Sequence, residues 1–429
     1  MLKLFLSVGI DVGSDFSFMS IALPNQTMEG KPFKITHSNL HSLSRAVALI
    51  REAEEKHCFQ ARIFLESTGI YHYPLMHYFK SAGFAVSVIN PIITKSRENS
   101  EIRKTKNDKL DSKKIALLGL QPDLKISVIP SDLILNLRNL IRDYYYLVDS
   151  RSAYITKLTA TLKVAFPQYI GIFSSIAAKT SLALLDKYTS PQVFLKARKA
   201  SMVKLIRSTS RCGQTYAEEK YNKIIQAARD SLVFGYAVPS NFELVRHYIS
   251  FIRIYNDKIT ALIALIHKFI DDNPDELFVK QIHLIDSIKG AGLLTAATVI
   301  CEIGDFSVFK KPKQLFAYFG LDPSSKQSGN FIGTKNKMSK RGSAIARRAI
   351  HTIATINIGV TKNGVIHNPV LLEYYQQKCK AKPKSVALGA VAHKVCNIIF
   401  AILRDNKPFS VISKDDHIRE YQRKFSQLA

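Results

Sequence analysis

The pattern of apolar residues changes near residue 130, and this change limits the fold more than any other feature of the chain. Five short apolar runs before it indicate strands, at 4–10, 16–23, 33–36, 63–66 and 85–89. Helices are predicted at 41–57, 71–82 and 108–120. After residue 130, apolar residues from Leu133 to Leu162 recur at spacings of four and three, as in a long helix that packs along a partner helix. The sequence therefore predicts an α/β layer with an antiparallel edge, followed by a mainly helical region.

A second long helix is predicted from Asn241 to Asp271, and the two long helices together predict a coiled coil. The partner helix could belong to the same chain or to a second protomer. We divide the chain into three domains, at 1–128, 129–283 and 284–429. Residues 167–239 follow no pattern that we can name, and we treat them as a candidate insertion.

The composition predicts a nucleic-acid partner. The 429 residues include 61 Lys and Arg against 34 Asp and Glu, a formal charge of +27, and the cations are spread along the chain rather than gathered in one membrane-binding cluster. Five cysteines, none at C-x-x-C spacing, exclude a zinc ribbon and a disulfide framework. The N-terminal apolar run lacks a cleavage site, and we find no apolar run of about 18 residues elsewhere. We therefore expect a cytoplasmic protein with no membrane partner.

Four carboxylates are candidate metal ligands. Asp11 ends an apolar strand, Glu66 closes another, and Asp108 and Asp111 share one face of a predicted helix. Taken singly, each has an ordinary structural explanation, since Asp11 could be a turn residue and Asp108 could be a helix N-cap. Asp15 is an alternative to Asp11. Together the four acids suit two-metal phosphodiester chemistry, in which divalent cations activate the attacking oxygen and stabilise the leaving one.

The last domain has a glycine turn and a basic stretch. Lys289, Gly290 and Gly292 open an apolar helix, where free backbone amides at 291–294 would bind phosphate as in a helix-hairpin-helix; a plain turn between helices would look similar. No acid occurs between Asp322 and Glu373. We expect the cations of this stretch to contact a sugar-phosphate backbone, although a solvated face is the alternative. The candidates are Lys326, Lys335, Lys337, Lys340, Arg341, Arg347 and Arg348, and Lys362 also falls in this stretch. Ser328, which stands before Gly329, would by itself be a turn residue.

These blocks, in this order, resemble the transposases of the bacterial insertion-sequence group called IS one-ten. The resemblance covers nearly the whole chain and is carried by short motifs: Gly-Ile-Asp-Val-Gly at 9–13, Leu-Glu-Ser-Thr-Gly at 65–69, Asn-Asp-Lys-Leu-Asp-Ser-Lys-Lys-Ile-Ala at 107–116, Leu-Arg-Asn-Leu-Ile-Arg at 137–142, Gly-Leu-Asp-Pro at 320–323, Gln-Ser-Gly at 327–329, Ser-Lys-Arg-Gly at 339–342, Lys-Pro-Lys at 382–384 and Val-Ala-Leu at 386–388. Two positions depart from the family pattern. Ser343 stands where Asn is common, and Ala346 stands where Leu usually precedes the paired arginines.

The resemblance implies an RNase H-like, RuvC-like DEDD domain at 1–128, in which Asp11, Glu66, Asp108 and Asp111 bind Mg²⁺, with Mn²⁺ as a substitute. It implies a transposase domain at 284–429, in which Ser328 is the nucleophile that forms a covalent link to DNA. The implied partners are double-stranded DNA at the element ends and target, an element-encoded guide RNA, and further copies of the chain in a dimer or tetramer that joins the metal site of one protomer to the serine of another.

Three other functions remain open from the residues. A hydrolytic RuvC-like nuclease, such as a junction resolvase, would use the same acids and leave Ser328 as a turn residue. A site-specific DNA invertase would share every catalytic residue with a transposase. A non-catalytic nucleic-acid scaffold would need none of the acids.

Overall fold

The structure is a computed structural model that describes two units, Met1–Pro130 and Ser131–Ala429. The described residues are 4–67, 69–89, 91, 93, 94, 107–124, 126, 129–323, 327, 328, 331, 332, 337–412, 416, 418, 419 and 422. Residues 327, 328, 331 and 332 are described by their backbone alone.

The first unit contains one five-stranded sheet. Its strands are β1 (Leu6–Val12), β2 (Phe16–Ala22), β3 (Met28–Thr36), β4 (Ala61–Glu66) and β5 (Ala85–Ile89). The spatial order is β3-β2-β1-β4-β5; β1, β2 and β3 pair antiparallel, whereas β4 runs parallel to both β1 and β5. The predicted α/β layer with an antiparallel edge is therefore confirmed.

Helices cover both faces of this sheet. They are α1 (Leu40–His57), α2 (His72–Ser81) and α3 (Asp108–Gly119). Alternate residues of β1, such as Val8 and Ile10, form a core with α1 and α2 on one face. On the opposite face, Phe64 of β4 packs against Ile115 and Leu118 of α3.

The second unit is built on two long helices, α4 (Asp132–Ala165) and α9 (Pro239–Asp271), each about 50 Å long. They pack against each other within the chain, which answers the question that the sequence leaves open. Their direction is antiparallel, because Leu137 shares a core with Ile266 near one end and Leu162 shares a core with Val245 near the other. A coiled-coil supercoil for this pair stays a prediction.

Residues 167–239 form a helical segment at one end of the pair. Its helices are α5 (Lys179–Tyr188), α6 (Pro191–Lys196), α7 (Lys199–Ser210) and α8 (Gln214–Phe234). They enclose a core of their own around Tyr169 and Phe194. The segment leaves and rejoins the pair at one place, since the amide of Tyr236 donates to the carbonyl of Val164 at 2.9 Å.

The other end of the pair packs into a second core. It includes α10 (Leu277–Asp286), α11 (Gly292–Ile303), α12 (Pro312–Tyr318), α13 (Ala344–Asn357), α14 (Pro369–Cys379) and α15 (Lys384–Asp405). Among the described residues, α15 is the one helix long and apolar enough to cross a membrane, although the sequence predicts no such span. Half of its most apolar stretch is buried in this core, which accounts for its composition.

Candidate metal centre

Helix α3 lies unusually close to the sheet because glycines stand at the contact. A Cβ atom on Gly9 of β1 would lie 2.1 Å from the backbone nitrogen of Ala116, and a Cβ on Gly119 would lie 2.2 Å from Ser7 Oγ. Ser7 Oγ donates to the Ala116 carbonyl at 2.6 Å. The close approach fixes the start of α3 over the end of β1, where the candidate metal ligands lie.

Three of the four predicted acids come together there. Asp11, Asp108 and Asp111 each offer a carboxylate oxygen, and these oxygens all lie within 4.8 Å of one another. Asp11 is paired with Phe18 inside the β1–β2 ladder and so is not a turn residue. Asp108 is not the N-cap of α3, because Asn107 caps the helix by accepting from the amide of Lys109 at 3.1 Å. Both ordinary explanations for these acids are therefore wrong.

Glu66 lies at the end of the neighbouring parallel strand. Ile10 pairs with Leu65, so Asp11 and Glu66 are the next residues along two adjacent strands. Phe64 packs on the α3 face, and Glu66, two residues further on, faces the same side of the sheet. Its Oε1 accepts a hydrogen bond from Thr94 Oγ1 at 3.0 Å. Sequence reasoning missed Thr94, which carries no signal beyond its position after β5.

The carboxylate trio suits a divalent cation. Mg²⁺ holds oxygen ligands at about 2.1 Å, so oxygens on opposite sides of one ion are about 4.2 Å apart, and small side-chain rotations would bring oxygens from 4.8 Å to that spacing. Lys114 Nζ lies 3.9 Å from Asp111 Oδ1 and offsets part of the negative charge. Asp15 is exposed and accepts from Ser14 Oγ at 3.1 Å, and it does not join the group.

The residues on either side of the segment around Ser328 are hydrogen-bonded to each other. Gln327–Ser328 (β6) pairs antiparallel with Phe331–Ile332 (β7), so that Ser328 pairs with Phe331 across the two intervening residues. In the sequence, Asp322 precedes these strands and Ser339 follows them. Ser339 donates through its amide to the Asp322 carbonyl at 2.8 Å and through its hydroxyl to the Asp322 carboxylate at 2.5 Å. Gly329, Lys326 and Lys335 lie outside the described residues.

The predicted cations of this stretch divide into two groups. Arg347 donates to the carbonyls of Phe319 and Gly342 at 3.1 and 2.6 Å, and Arg348 donates to Asp149 of α4 at 2.7 Å. Both arginines thus have partners inside the unit. Lys340 and Arg341 are exposed and form no ion pair among the described residues, and Lys337 and Arg348 are exposed as well.

The glycine turn before α11 is present, but one part of its prediction is wrong. Gly290 and Gly292 have φ values of +82° and +60°, which side chains rarely adopt. The amide of Ala291 is not free, because it donates to the Ile288 carbonyl at 2.9 Å and the residue is buried. Lys289 is exposed, although its carbonyl accepts from Asn357 Nδ2 at 2.8 Å.

An ion pair between a buried carboxylate and a half-exposed arginine, missed by sequence reasoning, joins two helices of this region. Glu302 of α11 accepts two hydrogen bonds from Arg142 of α4, at 2.8 and 3.0 Å. Burial alone would raise the pKa of the Glu302 carboxyl, but the Arg142 guanidinium outweighs burial and holds that pKa below its usual value. The neighbouring Cys301 is buried, and burial raises the pKa of its thiol to about 12.

Two family profiles match the chain. Residues 8–167 match the profile of the DEDD transposases of IS110, and residues 282–376 match that of the transposases of the IS116/IS110/IS902 family. Residues 168–281 lie between the two matches. All four acids fall in the first match, and Ser328 falls in the second.

Individual relatives are similar over shorter stretches. An uncharacterized 43.6 kDa protein of insertion element IS110 from Streptomyces coelicolor is 25% identical over 223 residues, which are 52% of this chain and 51% of that protein. The pilin gene-inverting protein of Moraxella lacunata is 29% identical over 160 residues, 37% of this chain and 47% of that protein. The transposase for insertion sequence element IS1111A from Coxiella burnetii is 32% identical over 122 residues, 28% and 32% of the two chains. The chain spans about half the length, or less, of these three relatives.

Proposed function

Because the chain belongs to the IS110 family of transposases, we propose that it is a DNA recombinase that cuts, exchanges and rejoins strands during transposition. The observation that carries the proposal is the group formed by Asp11, Asp108 and Asp111, since three carboxylate oxygens within 4.8 Å of one another suit the divalent cations of phosphodiester chemistry. The formal charge of +27 supports a polyanionic substrate.

The four acids would hold Mg²⁺, or Mn²⁺ in its place. Asp11 and Glu66 contribute from adjacent strand ends, and Asp108 and Asp111 contribute from the first turn of α3. A bound divalent cation supplies positive charge that stabilises a leaving oxygen and favours deprotonation of a nearby hydroxyl. The close packing of α3 on Gly9 keeps the three clustered carboxylates in place, so little reorganisation is needed when the charge changes.

Ser328 would be the nucleophile. Its Oγ forms a bond to the phosphorus of a DNA phosphodiester as the bond from phosphorus to one deoxyribose oxygen breaks. The serine proton passes to a base, and the released deoxyribose oxygen takes up a proton. A hydroxyl of a second strand then attacks the phosphoserine ester and releases the serine, so that the number of phosphodiester bonds is conserved.

The partners would be double-stranded DNA at the element ends and target, and an RNA encoded by the element. Lys289, Gly290, Gly292 and the basic stretch from Lys326 to Arg348 would contact the sugar-phosphate backbone. Within the basic stretch, Lys340 and Arg341 are the strongest candidates, because both are exposed and neither forms an ion pair among the described residues. We also propose a dimer or tetramer in the cytoplasm.

Trapping a protein–DNA adduct tests the proposal. Purified protein is incubated with Mg²⁺ and labelled duplex that carries the element end, and the reaction is denatured and resolved by size. Wild type should form the adduct. So should the matched control Ser325→Ala, which changes the serine three residues before Ser328 in the same Ser-Ser-Lys-Gln-Ser-Gly segment. Ser328→Ala should form none. Cleavage by Ser328→Ala at the wild-type rate would instead establish a hydrolytic nuclease.

Site-specific inversion is a second candidate, because a pilin gene-inverting protein is 29% identical over 160 residues. Inversion and transposition use the same residues and differ in the DNA. A plasmid with two inverted sites distinguishes the reactions, since an invertase flips the segment between them whereas a transposase excises or inserts an element.

A further inference from the structure

A basic cleft lies between α7 and α8, in the helical segment that neither family profile covers. Its volume is about 960 Å³. Four cations line it, Lys199, Lys204, Arg207 and Arg211, against one acid, Glu218. The cleft therefore presents a strongly positive surface in a part of the chain to which the motifs of the sequence assign no role.

The segment is basic well beyond the cleft. Residues 167–239 contain 11 Lys and Arg and 4 Asp and Glu, a net charge of +7, and no acid occurs between Asp186 and Glu218. Lys204, Arg207 and Arg211 are exposed, and the described part of the chain provides no ion pair for any of them. Arg207 donates to the amide oxygen of Gln214 at 3.2 Å.

Three other exposed cations of this region are paired. Lys223 lies 2.6 Å from Glu219, Arg246 lies 3.0 Å from Glu243, and Arg253 lies 2.6 Å from Asp186. The cleft cations differ from these three in having no acidic partner among the described residues. Like charges that repel one another cost stability unless an anion compensates them, so the cleft is better suited to a bound polyanion than to solvent alone.

Helix stability does not explain this arrangement. Cations near a helix C-terminus stabilise the helix, which would account for Arg207 and Arg211. Lys199, however, is the first residue of α7, where a positive charge is unfavourable, and the first turn has no acid. The helix dipole therefore does not explain the whole set of cleft cations.

We propose that this cleft binds the sugar-phosphate backbone of double-helical nucleic acid without reading its sequence. Lys204 and Arg207 share one face of α7, and Arg211 follows the last residue of the helix and lines the same cleft, so the three cations span about 10 Å, which suits successive phosphates. None of the residues that line the cleft is aromatic, so the cleft offers no platform for stacking unpaired bases. Binding here is independent of strand cleavage, and the proposal goes beyond the proposed reaction.

The salt dependence of binding tests the cleft. The full chain with Lys204→Gln, Arg207→Gln and Arg211→Gln is compared with a control that loses the same charge at the paired cations, Lys223→Gln, Arg246→Gln and Arg253→Gln. Each is titrated with 25-base-pair duplexes of unrelated sequence, one of DNA and one of RNA, from about 50 to 200 mM salt. The cleft variant should bind more weakly and lose about 2–3 units of the slope of log K against log salt, since each phosphate contact contributes about 0.9.

The two duplexes show whether the cleft binds the backbone of DNA, of RNA or of both. A loss with both supports a general double-helix surface, and a loss with one alone assigns the cleft to that nucleic acid. An unchanged slope with both duplexes, or an equal loss in the control, would overturn the proposal. The same comparison on an Asp11→Ala background should give the same losses, which separates failure of the cleft from failure of the proposed reaction.

A second measurement needs no cleft variant. Cys212 lines the cleft and is exposed, and Cys58 is exposed in the first unit. Bound duplex should slow maleimide labelling of Cys212 in the wild-type chain severalfold. Labelling of Cys212 at the free rate when the chain is saturated with duplex would contradict binding in the cleft.

Discussion

Substitution of Gly9 by alanine should separate α3 from the sheet and open the metal centre. The added Cβ would lie 2.1 Å from Ala116 N, 2.4 Å from the Ser112 carbonyl oxygen and 2.7 Å from Ala116 Cα. All three atoms belong to helix backbone, so no side-chain rotation relieves the contact. Ordinary contact begins near 3.4 Å, and α3 must therefore move by about 1.3 Å.

That movement has two consequences of different size. Overpacking of this kind destabilises a core by about 1–3 kcal/mol. The chemistry should lose more, because Asp108 and Asp111 move with α3 whereas Asp11 stays on β1, and a displacement of about 1 Å can reduce a rate about 100-fold. We expect Gly9→Ala to fold with a lower unfolding midpoint, to bind Mn²⁺ more weakly and to cleave at about 1% of the wild-type rate or less.

Three assays test this prediction. Calorimetric titration measures Mn²⁺ affinity, urea unfolding measures stability, and single-turnover kinetics measure the cleavage rate. The matched control is Gly389→Ala in α15, since a Cβ there meets nothing within 4 Å. If Gly9→Ala bound Mn²⁺ and cleaved DNA like wild type, the close approach of α3 would not position the ligands, and the reasoning would fail.

Three further outcomes are expected. Asp111→Asn should abolish Mn²⁺ binding and cleavage, whereas Asp15→Asn, a nearby exposed acid, should change neither; equal losses in the two variants would refute the assigned centre. Glu302→Gln removes a carboxylate that is 3% exposed and should lower the stability of the second unit by about 1.5–3 kcal/mol, because two charge-assisted hydrogen bonds are weakened while Arg142, whose side chain is 49% exposed, stays solvated. Since the folded pKa of Glu302 is lowered, its contribution is complete above the unfolded value of about 4.3 and is lost as pH falls through the folded value, so urea midpoints of wild type and Glu302→Gln should converge in acid. Cys301, with a thiol pKa raised to about 12, should resist maleimide at pH 8 until the protein unfolds; rapid labelling of the folded chain would contradict its burial.

Local sequence patterns were enough to predict the elements that carry the acids. Short apolar runs predicted the strands that end near Asp11 and Glu66, and the spacing of Asp108 and Asp111 predicted their common helical face. The identity of the cap could not be predicted, because Asn and Asp cap helices about equally well and stand side by side at 107 and 108.

Contacts between distant parts of the chain could not be predicted. Arg348 donates to Asp149 across 199 residues of sequence. In the sequence of a basic stretch, an arginine with an acidic partner and one without look alike. The sequence could not decide the partner of α4 for a similar reason. A row of apolar residues has the same pattern whether it packs on a helix of its own chain or on a helix of a second protomer. The amide of Ala291 was predicted wrongly because its bond to Ile288 depends on how the turn closes.

The hydrogen bond from the Tyr236 amide to the Val164 carbonyl has a consequence for how such proteins diversify. The chain departs from the long helix pair and returns to it at one point, and the intervening helices have their own core. The helical segment at 167–239 can therefore be replaced without a change in the long helix pair. Its length, charge and surface can drift, or be exchanged by an engineer, while the register of α4 against α9 stays the same.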